Sequence, residues 1–277
     1  MASPRHVAFS IICLVGAFVV TVAFVSPVAA QQCRPAAGGT PCETVGGIAS
    51  LADPDGSDLA VGNPIHPVTG NKYQAELDAP PLPGPLGLEL HRHYNASYGA
   101  AEGPWGRGWT LSYDTRLYRA GGKLQVVQAD GRRLVFRSDG AAPAGDAPVP
   151  CEAEAPGQGR LFRYPDGYRW VWPWGRVLHF DAAGRLVRIG PVDGSEAESV
   201  LIVRDAAGRI VQVTDPAGRR MTLEYSADGH LVAVAHPLGT WHYRIDAAGR
   251  LRSVQGPEGV VRRYEYEDIG YPSRLSS

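Results

Sequence analysis

Lysine is almost missing from this sequence. Of 27 basic residues only Lys72 and Lys123 are lysines, and 28 acids bring the net charge to −1. Such a balance creates no bulk field to recruit nucleic acid or anionic lipid. Cysteine is scarce too, with four in 277 residues. Cys13 falls in an apolar run, leaving Cys33, Cys42 and Cys151. None has a C-x-x-C neighbour, which argues against a zinc site. The sequence has no Gly-x-Ser-x-Gly, no His-Glu-x-x-His and no phosphate-cradling glycine loop. No residue is assigned a catalytic, cofactor-binding or metal role, and the expectation is a non-enzyme. After Ala30 no apolar stripe recurs every 3.6 residues, so helix is expected only before it.

What the chain does have is a repeat. Asp181-Ala182-Ala183-Gly184, Asp205-Ala206-Ala207-Gly208, Ser226-Ala227-Asp228-Gly229 and Asp246-Ala247-Ala248-Gly249 share one turn. Gly194, Gly218, Gly239 and Gly259 come ten residues behind, and the last three have Pro two positions earlier. Asp or Ser at the first turn position hydrogen-bonds the local backbone, and Gly at the fourth accepts a positive φ. Between turns the residues alternate. Met221, Leu223 and Tyr225 oppose Arg220, Thr222 and Glu224, and Trp241, Tyr243 and Ile245 oppose His242 and Arg244. Period two between turn residues predicts antiparallel hairpins, and a fixed period predicts a repeat architecture.

Phe180-Asp181-Ala182-Ala183-Gly184-Arg185-Leu186 and Tyr225-Ser226-Ala227-Asp228-Gly229-His230-Leu231 resemble YD repeats, the unit of bacterial Rhs proteins and animal teneurins. In the signature dipeptide Phe180, Arg204 and Ile245 stand in place of Tyr, and Ser226 in place of Asp. Residues 61–137 resemble the β domain that commonly precedes the repeats in Rhs-type proteins. The matching pieces are Asn63-Pro64 through Lys72, Pro81 through Leu86, Arg92 through Asn95, and Trp105 through Trp109. The resemblance implies an all-β fold, with antiparallel YD-repeat hairpins contributing to a partial β shell behind a small β domain. It also implies the N-terminal part of an exported protein whose shell encloses and delivers a C-terminal toxin. Members of the family carry more repeats, a core and the toxin, so the chain is expected to be a fragment or truncated relative. The partners implied are downstream repeats and toxin cargo, with no nucleic acid. The alternative is a secreted or surface carbohydrate-binding module whose partners are cell-surface glycans.

These readings divide the chain into five regions. Residues 1–30 read as a secretory signal, with an apolar helix over 7–25 and cleavage between Ala30 and Gln31. The run is long enough to remain instead as an anchor, the one membrane contact expected. Secretion, the periplasm or the cell surface is the expected destination. Residues 31–60 form a Gly/Ala/Pro-rich leader, where Cys33 and Cys42 are a candidate disulfide. The β domain spans 61–140, a Pro/Ala-rich linker 141–159, and the repeats 160–277.

Three constellations compete with blander readings. His91 and His93 share a strand face and suggest a metal pair, yet no third ligand is evident and the pair reads as polar surface. Trp170, Trp172 and Trp174 are spaced to stack sugars or to fill a core, and core is favoured. Arg132, Arg176, Arg185, Arg209, Arg219 and Arg250 each come directly after a glycine. They suggest a polyanion ladder, but the balancing acids favour solvated turn arginines. At the far end, Tyr264 and Tyr266 are expected on an open edge that invites association, with no cap legible in the sequence.

Overall fold

A computed structural model describes residues 71–96, 103–120, 122–138, 140, 143–172, 175–267 and 275–276. The apolar run 7–25, the Ala30/Gln31 site, Cys33, Cys42, the leader 31–60 and Trp174 lie outside them. No α-helix occurs among the described residues, and no helix there is long and apolar enough to cross a membrane.

Two antiparallel sheets make up the fold. The first holds β1 (Tyr73–Ala79), β2 (Leu90–Asn95) and β3 (Trp109–Leu111), in that order. The second is a 15-stranded meander in strict chain order. It begins with β4 (Arg116–Ala120), β5 (Lys123–Val127), β6 (Arg133–Arg137), β7 (Val149–Ala153), β8 (Arg160–Tyr164), β9 (Gly167–Val171) and β10 (Arg176–Asp181). It continues through β11 (Leu186–Pro191), β12 (Val200–Arg204), β13 (Ile210–Thr214), β14 (Arg220–Tyr225) and β15 (Leu231–His236). β16 (Gly239–Ile245), β17 (Leu251–Gln255) and β18 (Val261–Arg263) complete it.

The alternation seen in the sequence sets the faces. Met221 and Leu223 are buried while Arg220, Thr222 and Glu224 are exposed, and Trp241 and Tyr243 are buried while His242 and Arg244 are exposed. Each buried aliphatic or aromatic side chain contributes roughly 1.5–3 kcal/mol, so the pattern fixes which face turns inward. One core cluster runs from Leu88 and Trp109 through Leu178 and Ile189 to Trp241 and Tyr264, and therefore joins both sheets.

The repeat turns close as their chemistry requires. Gly184, Gly208, Gly229 and Gly249 each donate their amide to the carbonyl of the first turn residue, at 2.8–2.9 Å. The pairing slips by one residue at Phe180, Arg204, Tyr225 and Ile245, the mark of a bulge beside the turn glycine. Of the Pro-containing turns, 215–218 and 256–259 close in the same way. The third is tighter, with His236 paired directly to Gly239.

Two expectations are corrected here. The stretch 141–159 is not simply a linker, because β7 lies inside it and pairs with β6 and β8. Cys151 is buried while Pro150 and Glu152 face out, an alternation that the Pro/Ala-rich composition conceals. Since β4, β5 and β6 belong to the same sheet as the repeats, no break separates 116–137 from the strands after it. The sheet also curls on itself. Leu117 of β4 donates its amide to the Gly184 carbonyl at 2.8 Å, and Arg116 bridges Arg185.

The second correction concerns Tyr264 and Tyr266. Both are buried, 3% and 8% exposed, instead of standing on an open edge. The cover comes from β2 and β3, whose residues precede them by more than 150 positions. Val260 and Val261, at the start of β18, are exposed.

Candidate functional site

The sequence offers no constellation to confirm as an active site, so the site is built from what the fold brings together. Three arrangements stand out, of which the first and third connect the first sheet to the second.

The first is a buried charge network. β2 places Arg92, 1% exposed, against the inward face of the repeat sheet. The Asp78 carboxylate from β1 accepts from Arg92 Nε at 2.6 Å and Nη2 at 3.0 Å, and from the Tyr243 hydroxyl at 2.9 Å. It also accepts from Arg262, whose Nη1 donates to Glu76 at 2.6 Å. Arg92 Nη2 donates to the Tyr264 hydroxyl at 2.9 Å, and its guanidinium lies 4.7 Å from the centre of the Trp109 ring. Two guanidiniums thus meet two carboxylates. Burial works against the Arg92 charge, but the Asp78 carboxylate outweighs it and holds its pKa well above the ordinary value. Burial, aided by the Asp78 charge, pushes the Tyr243 hydroxyl up, keeping it a neutral donor. Buried ions persist only when geometry of this quality compensates their desolvation.

The second arrangement is a row of turn clamps. In four turns Asp holds the Arg that comes after the glycine. Arg185, Arg209, Arg219 and Arg250 donate Nε to Oδ2 of Asp181, Asp205, Asp215 and Asp246 at 2.7–2.8 Å. Their amides bind Oδ1 of the same carboxylates at 2.8–3.0 Å. Burial pushes the Asp205 and Asp246 carboxyls up, and the bonds from Arg209 and Arg250 outweigh it, leaving both below the usual range. Four of the six glycine-following arginines are therefore pinned to their own turns. Arg209 also leans on the next unit, 4.7 Å from the centre of the Tyr225 ring.

The third arrangement is segment 103–117, which runs along the turns. Pro104 O accepts from the Leu231 amide and Gly249 O from the Arg107 amide, both at 2.7 Å. Asp114 faces Arg204 at 3.4 Å and Arg116 at 3.2 Å. Beneath the segment lies a cleft of about 400 Å³ lined by Trp105, Trp109, Asp114, Gln125 and Arg133.

The structure also places the remaining sequence candidates. His91 and His93 are buried rather than on a polar surface, because β2 is covered on both faces; their ring centres lie 4.5 Å apart. Tyr73 shares a hydrogen bond of 2.9 Å with His93 Nδ1. Among the described residues no group of three His, Cys, Asp or Glu is placed to hold a metal. Trp170 and Trp172 are buried edge to face at 4.9 Å, and Trp170 Nε1 donates to Gln158 O at 2.8 Å. Neither presents a free face for a sugar to stack upon. Arg92 was missed. Its one sequence signal is a charged residue in register with Leu88, Leu90 and Tyr94.

Both halves of this arrangement have counterparts among known proteins. Residues 62–136 match a domain of unknown function, DUF6531, and residues 204–240 match the RHS Repeat. Residues 204–240 thus carry an RHS repeat, and over these two stretches the chain is similar to Rhs-type proteins. It is 33% identical over 114 residues to the double-stranded DNA deaminase toxin A of Burkholderia cenocepacia (strain H111). That match covers 41% of this chain and 7% of the toxin's length. Two solved structures are similar at a TM-score of 0.26. One is a Photorhabdus luminescens Tc holotoxin pore, matched over 68% of this chain and 10% of that one at 14% identity. The other is a TcdB2–TccC3–TEV crystal structure, matched over 79% and 14% at 12% identity.

Proposed function

We propose that this Rhs-repeat chain is a non-catalytic structural part of an exported protein, forming the beginning of a β shell that encloses and delivers a C-terminal toxin. The observation that carries this reading is the Arg92–Asp78 network. It fastens the first sheet across the inward, apolar face of the repeats, where Tyr243 and Tyr264 lie. A meander whose inward face is closed at one place by its own preceding strands is suited to begin an enclosure. The clamped turns add units without demanding any reactive side chain. The Burkholderia toxin has the length to carry both a shell and a cargo, since this chain matches 7% of it. The partners in this reading are further repeats and a toxin domain, and the route begins with export that removes residues 1–30.

The test has two arms. The chain is expressed alone in the cytoplasm and the periplasm of a bacterial host, and growth is monitored. A strain encoding it is also competed, with and without the gene, against a susceptible neighbour. The reading expects no inhibition from the chain alone and loss of killing on deletion. Inhibition by the chain alone would assign it an activity of its own and overturn the proposal. Mass spectrometry of the exported protein should find Gln31 as its first residue, and an intact Met1 in the membrane fraction would favour the anchor.

A further inference from the structure

The repeat departs from its own signature at specific places, and segment 103–117 meets it there. In the regular units a turn arginine reaches forward to cover the next turn. Arg185 Nη1 comes within 3.2 Å of where a Cβ on Gly208 would stand, and Arg209 Nη1 within 3.3 Å of the same point on Gly229. The third unit cannot do this. Ser226 has no carboxylate to hold a guanidinium, and His230 has none to offer; their contact is the His230 amide to Ser226 Oγ at 3.2 Å. Yet the next turn is covered. Arg107 Nε stands 3.4 Å from the Cβ position of Gly249 and donates to the Ala248 carbonyl at 2.7 Å. One residue past His230, the Leu231 amide donates to Pro104 O.

A second departure behaves alike. Arg204 occupies the place of the signature tyrosine. It donates to Asp114 Oδ1 at 3.4 Å and to the Tyr113 carbonyl at 3.5 Å, while also bonding Leu186 O and Gly208 O in the repeat. A tyrosine there would have no positive charge for Asp114. The approach of Arg107 is built into the backbone as well. Gly106 has φ +97°, and a Cβ on it would meet the Leu251 amide nitrogen at 3.1 Å. Only glycine lets the chain come this near in that conformation.

We propose that Arg204, Ser226 and His230 form the recognition code by which segment 103–117 selects its turns, with Arg107 supplying the guanidinium that the third unit lacks. The departures are then an address rather than drift, and they fix the register of the first sheet on the repeats. The inference does not depend on what the repeats enclose.

Hydrogen exchange on the full chain tests it. In Ser226→Asp/His230→Arg the turn regains its clamp and competes with Arg107 for the face of Gly249. The Arg107 and Leu231 amides should then exchange at least about tenfold faster, while the Gly208 and Gly218 amides keep their protection. Unchanged exchange at Arg107 and Leu231 would overturn the proposal. Arg107→Ala guards against a misfolded double variant. In the native background it should speed exchange at Leu231, and in the Ser226→Asp/His230→Arg background it should add nothing. Additive effects would overturn the shared role. Asp205→Ser/Arg209→His removes an ordinary clamp and should leave Arg107 and Leu231 protected. Equal loss there would mean general loosening and would also overturn the code.

Discussion

Arg92 donates to the Tyr264 hydroxyl at 2.9 Å across 172 residues of chain. Neither partner is reachable by solvent in a way that would let water replace the other, as Arg92 is 1% and Tyr264 3% exposed. The contact therefore ties the formation of β2 to that of the last described strands.

The network around it should be most sensitive at Asp78, whose side chain is 0% exposed and serves both Arg92 and Arg262. Asp78→Ala leaves a buried guanidinium without its carboxylate, which costs about 3–5 kcal/mol. Urea unfolding should show the midpoint falling accordingly. Asp78→Leu/Arg92→Met removes both charges together and should lose less than Asp78→Ala. A double variant weaker than the single would contradict the account.

Gly184 and Gly218 have nearly the same backbone, φ +79° and +77°. Their surroundings differ. A Cβ on Gly184 would stand 1.9 Å from the Leu117 carbonyl oxygen, whereas nothing lies within 4 Å of one on Gly218. Gly218→Ala should cost about 1–2 kcal/mol for the left-handed conformation alone. Gly184→Ala should cost clearly more, because β4 must shift. Equal losses in thermal melts would mean that the curl of the sheet onto the β10–β11 turn is absent in solution.

The clamps should differ with burial. Asp215→Ala removes a fully buried carboxylate that accepts from two amides and a guanidinium, and should cost about 1.5–3 kcal/mol. Asp205→Ala, where the carboxylate is partly in water, should cost less. Denaturant midpoints for the two variants decide the order.

Acid should weaken the fold through His179. Its burial, with Arg188 and Arg169 beside it, lowers its pKa from 6.5 to about 4, and Arg188 donates to it at 2.7 Å. The unfolded chain binds this proton first. Stability from the neutral imidazole is complete above about pH 6.5 and is lost as the pH falls toward 4. His179→Gln should flatten the stability profile in that window, and an unaltered slope would remove His179 from the account.

The hairpins were legible because their cause is local. An Asp-x-x-Gly-Arg turn carries its own carboxylate, glycine and guanidinium within five residues, and alternation around Met221 and Trp241 tells inside from outside. What was illegible is long-range or disguised. β7 hides behind prolines and alanines, although Cys151 does face inward. His91 and His93 read as surface because strand period alone cannot reveal a strand covered on both faces. Tyr264 looked uncapped because its cap, Arg92, is supplied from another sheet. Trp105 through Trp109 stands out in the sequence as a piece of the preceding β domain, but the reach of Arg107 to Gly249 depends on where the turns come to lie.

The first sheet is an integral cover of the repeats and not a separate domain, sharing one core with them. Equilibrium urea unfolding of the full chain, with hydrogen exchange read at β2, β16 and β17, tests it most directly. The account predicts one coincident transition for all three strands, since Arg92, Asp78, Tyr243 and Tyr264 must separate together. Loss of protection in β2 at lower urea, with β16 and β17 still native, would contradict it.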